Sequence, residues 1–290
     1  MLLTALRSYP MLALMLGLGT YSAAEPATDA AATGPETLTV AVAANFRSSL
    51  ETLLAQLDPS PIPGTVELRQ YRIVSGSTGT LYAQITQGAP FDIFFAADTQ
   101  RPLRLVEDGH AKHDSLRHYA SGILALAYRS DEQSRSGKCD GLIDTITEFA
   151  GLLEALGYGA SSSNPMIATA NPRIAPYGAA ASEVLDTLAG HSEATASPKR
   201  ILGRNVLQAQ QFLETGHVDL ALVAYSLKAT SKRNDIVFCP FAATMHAPIA
   251  QALVVVDRPR SASQNALLEK LLTFLASGQA RNTISALGYR

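Results

Sequence analysis

Four short turns hold the residues best suited to chemistry: "AANF" (43–46), "SGSTG" (75–79), "IAPYG" (174–178) and "RNV" (204–206). Each precedes a segment with helical patterning. A helix start presents unpaired N–H groups and about half a positive charge, which together favour an anion. Asn45, Ser77, Thr78 and Tyr177 add neutral donors, and Gly76 and Gly79 let a backbone approach a ligand closely. None of the turns contains Asp or Glu. A protonated oxyanion would need an acceptor, whereas a fully deprotonated tetrahedral dianion presents only acceptors. Hydrogen bonds to a charged group are worth about 1.5–3 kcal/mol each, so about six or seven would offset the desolvation of a dianion. The same residue types also cap helices with no ligand present. Tyr177 has an alternative as a core tyrosine, and Arg173 and Arg204 as surface arginines. What points to an anion cleft is the recurrence of one pattern at four equivalent junctions.

The elements that must position these turns alternate. Strands are expected at 38–44, 65–74 and 91–97, with helices at 45–57, capped by Asn45, and from Ser77 or Thr78 to Gly88. The near-continuous apolar run at 91–97 suits a sheet buried on both faces. A long apolar strand is expected over 118–129, then a helix over 143–157, a strand at 166–171, a loop through "PRIAPYG" and a helix over 179–190. A helix over 205–216, capped by Asn205, precedes strands at 217–226 and 248–256 and terminal helices near 263–277 and 279–287. The pattern is α/β, with mainly parallel sheets in two units, the second inserted into the first. In such sheets a ligand sits at the carboxyl ends of strands, where helices begin.

Bulk properties narrow the function. The chain has 290 residues, 47% hydrophobic and 17% charged, with a net charge of −2. It therefore carries no bulk basic field for nucleic acid or an anionic membrane. Residues 1–24 read as a cleaved export signal, with Arg7, a nine-residue apolar core at 11–19 and small residues before Ala24. Residues 25–36 then form a small-residue linker. The cysteines, Cys139 and Cys239, either pair in an oxidising compartment or remain separate half-buried thiols.

The blocks "TVAVAANF", "SGSTGTLYAQITQGAPFDIFFAAD", "NPRIAPYG" and "VDLALVAYS" resemble the periplasmic molybdate-binding proteins of bacterial ABC transporters, in order over about 38–290. The resemblance implies a two-lobed type II periplasmic binding protein, with 37–122 and 247–290 forming lobe 1 and 123–246 forming the inserted lobe 2. It implies a protein that is no enzyme, needs no cofactor, and works as a periplasmic monomer. Its partners would be molybdate or tungstate, bound without direct protein–metal ligands, and an inner-membrane permease. Carried over by motif, the contacts are Ala44 through its backbone, Asn45, Ser77, Thr78, Tyr177 and the Val206 N–H. Some relatives supply the phenol from a later strand, near Tyr225 here. The segment 130–165 is longer than is usual in the family. Hinge crossings fall near 118–126 and 242–250.

Rival functions have weaker support. "AGHSEA" is not a nucleophile elbow. The histidines of "HDSLRH" do not share a helical face. "SGSTGT" lacks the lysine of a phosphate-binding P-loop. Sulfate is the serious competing ligand, since it too is a tetrahedral dianion.

Overall fold

The computed structural model describes residues 37–59, 70–130, 139, 141–158, 164–191 and 198–290. The expected export signal (1–24) and linker (25–36), the start of the strand expected from 65, and most of 130–138 lie outside the described residues.

The first part of the chain runs β1 (Leu38–Ala43), α1 (Arg47–Leu57), β2 (Tyr71–Gly76), α2 (Thr78–Thr86), β3 (Ile93–Ala96), α3 (Gln100–Glu107) and β4 (Arg117–Gly122). The second runs β5 (Leu124–Arg129), α4 (Ile146–Ala155), β6 (Met166–Ala170), α5 (Pro176–His191), β7 (Lys199–Gly203), α6 (Val206–Glu214), β8 (Leu220–Ala224) and β9 (Ile236–Pro240). The chain ends with β10 (Ile249–Val255), α7 (Ala262–Leu275) and α8 (Gly278–Ala286).

Two five-stranded sheets result, ordered β2-β1-β3-β10-β4 and β7-β6-β8-β5-β9. In each, three neighbouring strands are parallel and the fourth position runs antiparallel to both its neighbours. That reversed strand arrives from the other sheet: β4 passes through Ile123 into β5, and β9 passes through 241–248 into β10. Each sheet, with its helices, forms one lobe.

The apolar run ending β3 is buried on both faces, as its composition requires. Ile93 and Phe95 pack with Val40, Leu253 and the α1, α7 and α8 side. Phe94 and Ala96 pack with Ala41, Val254, Leu81 and Leu105 on the α2 and α3 side.

Several expectations need correction. The apolar stretch at 118–129 is two strands in different sheets, because apolar continuity reads alike for one long strand and two short ones separated only by Ile123. α5 starts at Pro176, not at 179: proline suits a helix's first position, where an N–H would be unpaired anyway. α3, β7 and β9 were not anticipated; β7 is an edge strand with mostly exposed side chains, and so has no apolar signature.

Cys139 and Cys239 form a disulfide, with Cα atoms 5.5 Å apart and a sequence separation of 100. Cys239 is fully buried in β9, against the core of the second sheet. Closing so long a loop restricts the unfolded chain. Replacing both cysteines by alanine should lower unfolding free energy by about 2–5 kcal/mol, read from the shift in urea midpoint.

Candidate functional site

All four turns lie at the ends of parallel strands. At β1–α1 the chain passes through Ala43, Ala44 and Asn45. Asn45 does not cap α1, as the sequence suggested: the cap position is Phe46, with no side-chain hydrogen bond. Phe46 is instead driven into the core, stacked on Phe95 and packed against Tyr119 and Tyr289. That places the Asn45 side chain indoors, where its Nδ2 donates to Gln251 Oε1 at 3.0 Å and to the Tyr289 hydroxyl at 3.4 Å.

At β2–α2, Ser77 is the cap, accepting from the Thr80 N–H at 3.2 Å. Thr78 Oγ1 accepts from the Ala97 N–H at 3.0 Å, which leaves its own proton to donate. At β6–α5, Pro176 opens the helix and Tyr177 lies in its first turn. At β7–α6, Asn205 accepts from the Gln208 N–H at 3.0 Å, while Gln208 Oε1 accepts from the Arg204 N–H at 2.7 Å. Val206 is thereby fixed as the first residue of α6.

These turns converge on one cavity between the lobes. Ala44, Asn45, Ser77, Thr78, Tyr177 and Val206 all line it, with Ala43, Gly76, Ala97, Ala175, Pro176 and Asn205. It is small, about 10 Å3 as swept by the centre of a water molecule. Among the described residues, the lining contains no Asp, Glu, Lys, Arg or His. Asn45, Ser77, Thr78, Tyr177 and Val206 are each at most 5% exposed, so the wall of the cavity is buried. Among the described residues, the backbone N–H groups of Asn45, Thr78, Tyr177 and Val206 have no protein acceptor. Such a set offers donors and no fixed charge. Arg173 and Arg204 are exposed and, with Tyr225, lie outside the lining.

The Tyr177 phenol is held well above its ordinary pKa, first by burial and then by the neighbouring Tyr289, with the hydrogen bond from Gln251 opposing. It is therefore a protonated donor at neutral pH.

Sequence reasoning missed the layer behind the lining. Gln251 is fully buried in β10, receives the Tyr119 hydroxyl at 2.8 Å and donates to the Tyr177 hydroxyl at 3.2 Å. The available signal was a lone polar residue inside the apolar run at 248–256. Tyr289 donates to the Asn45 carbonyl at 2.8 Å. Gly288, at φ +89°, provides the turn, and Arg290 exchanges two backbone hydrogen bonds with Ser121 to seat it.

Hydrogen bonds also join the two lobes near the cavity. The Gly79 N–H donates to the Ile174 carbonyl at 2.8 Å, and Arg101 donates to the Arg173 carbonyl at 3.2 Å. Among the described residues, no helix is long and apolar enough to cross a membrane.

The chain belongs to the family of bacterial extracellular solute-binding proteins, whose model matches residues 38–290. The molybdate-binding protein ModA of Rhodobacter capsulatus is 32% identical over 214 residues, covering 74% of this chain and 75% of that protein. ModA of Azotobacter vinelandii is 30% identical over 253 residues, covering 86% and 88%. The solved periplasmic molybdate-binding protein of Azotobacter vinelandii matches with a TM-score of 0.67 at 30% identity, over 87% of this chain and 98% of that one.

A Cβ added at Gly79 would lie 3.0 Å from the Ile174 Cα and carbonyl oxygen, on the opposite lobe. The clash exists only while the lobes touch. Gly79→Ala should therefore weaken ligand binding by about 1–3 kcal/mol, measured by calorimetry, while the thermal midpoint of the ligand-free protein stays unchanged or rises slightly.

Proposed function

We propose that this protein captures molybdate, or tungstate, in the interlobe cavity and delivers it to an ABC permease in the inner membrane. The observation that carries this reading is the convergence of four strand-to-helix turns, with no charged side chain among the described lining residues, on one small cavity between two lobes. The relatives named molybdate-binding at 30–32% identity support the choice among tetrahedral dianions.

On this reading the oxyanion accepts from Thr78 Oγ1, Ser77 Oγ, Tyr177 Oη and the N–H groups of Asn45, Thr78, Tyr177 and Val206, with Ala44 contributing backbone alone. The expected side-chain donation from Asn45 is dropped, since both its amide protons are engaged elsewhere. The metal is held through its oxygens, without a protein ligand and without a cofactor. The protein acts as a periplasmic monomer and catalyses no reaction. Lobe 1 comprises 37–122 and 247–290 and lobe 2 comprises 123–246, rotating about the two crossings. Contacts from both lobes make closure favourable when the anion is present.

The decisive experiment is a thermal-stability series with molybdate, tungstate, sulfate and phosphate at equal concentration. A ligand that binds only the folded state raises the midpoint by mass action, and molybdate and tungstate should raise it most. A rise with sulfate alone would transfer the assignment to sulfate. At residue level, Tyr177→Phe should weaken molybdate binding by about 1–3 kcal/mol, the scale of one hydrogen bond to a charged group, as measured by calorimetric titration. An unchanged affinity would remove Tyr177 from the contact set.

A further inference from the structure

Behind the cavity runs a chain of buried hydrogen bonds whose direction follows from one fixed end. The Tyr289 hydroxyl lies 2.8 Å from the backbone carbonyl of Asn45, which has no proton to give. The Tyr289 proton is spent there, so its oxygen accepts from the Asn45 side chain at 3.4 Å, which must present Nδ2. The same Nδ2 lies 3.0 Å from Gln251, so Gln251 presents Oε1 on that side. Its Nε2 is left facing the Tyr177 hydroxyl at 3.2 Å. Tyr177 therefore accepts from Gln251, and its single proton is directed away, toward the cavity it lines.

Gly122 makes the contact possible. A Cβ there would lie 2.2 Å from the Tyr177 hydroxyl and 2.8 Å from Gln251 Nε2, and its φ lies outside the left-handed region. Close approach alone calls for glycine at this position.

We infer that Gln251 is a positioning and specificity-determining residue: it holds Tyr177 as an obligate donor, so that the cavity prefers oxyanions with no proton over those that carry one. A ligand O–H aimed at Tyr177 meets a proton, whereas a bare oxygen meets a donor. This rests on reading the cavity as an oxyanion site. It assigns the discrimination to a residue with no place in the lining. Burial keeps the phenol protonated, consistent with a permanent donor.

The test is calorimetric titration of the wild-type protein, Gln251→Met, Tyr177→Phe and the double variant, with molybdate and with inorganic phosphate near neutral pH, where phosphate carries a proton. Gln251→Met should weaken molybdate binding roughly tenfold and narrow the molybdate-to-phosphate ratio. In the Tyr177→Phe background it should change either affinity by less than about twofold, because the residue acts through the phenol. Gly122→Ala, which breaks the same contact from the other side, should reproduce the narrowed ratio and keeps the test open if Gln251→Met does not fold. Equal losses from Gln251→Met in both backgrounds, or an unchanged ratio in both Gln251→Met and Gly122→Ala, would overturn the inference while leaving the oxyanion reading intact. Failure of the wild-type protein to bind any tetrahedral oxyanion would overturn both.

Discussion

A backbone N–H in the first turn of a helix has no partner within that helix, and when buried it must find one elsewhere. At the helix starts gathered here, Thr78, Tyr177 and Val206 bury such groups, and Asn45, in the turn just before α1, buries another, all without a protein acceptor among the described residues. The groups face a common small space; on the proposed reading an oxyanion occupies it and takes up these donors. Lysine or arginine in the lining would add attraction, but would leave a desolvated charge whenever the site emptied, and an isolated buried charge is far more costly than an unpaired dipole. On the proposed reading, neutral donors let the same cavity be filled and vacated repeatedly.

Topology explains why four starts can meet. Each lobe supplies two turns, at the carboxyl ends of β1 and β2 in one and of β6 and β7 in the other. Both sheets follow one plan, and each lends the other its reversed strand. The turns thus face each other because the chain crosses twice, with no charged pair spanning the cavity among the described residues. Behind them, Phe46, Phe95, Tyr119 and Tyr289 form an aromatic bed under the β1 turn. Their packing explains why Asn45 points inward instead of capping α1.

Much of this was legible in the sequence, and the failures have physical causes. The sequence offers Ser77 or Thr78 as the α2 cap and Asn205 as the α6 cap; Ser77 and Asn205 cap. The six lining residues carried over by motif do surround one cavity, since strand-to-helix junctions are marked by small and hydroxyl residues that sequence displays. Asn45 misled because a cap and an inward-facing amide require the same residue at the same offset; only the burial of Phe46 decides between them. Gln251 and Tyr289 were invisible because their partners lie 206 and 244 residues away from them at Asn45, and no local pattern encodes such a distance. Gly122 gave no sign either, since a glycine needed for room resembles any other glycine inside an apolar run.

The two passages between the sheets differ in length: Ile123 alone joins β4 to β5, while 241–248 joins β9 to β10. A single-residue link has little slack, so relative rotation of the lobes would take its axis close to it. Points on an axis do not travel. The Tyr177 phenol, pressed against Gly122 beside that link, would keep its place whether the jaws stand apart or together. It would serve as the stationary anvil, and the groups on α2 and α6 as the parts that swing shut upon the cargo.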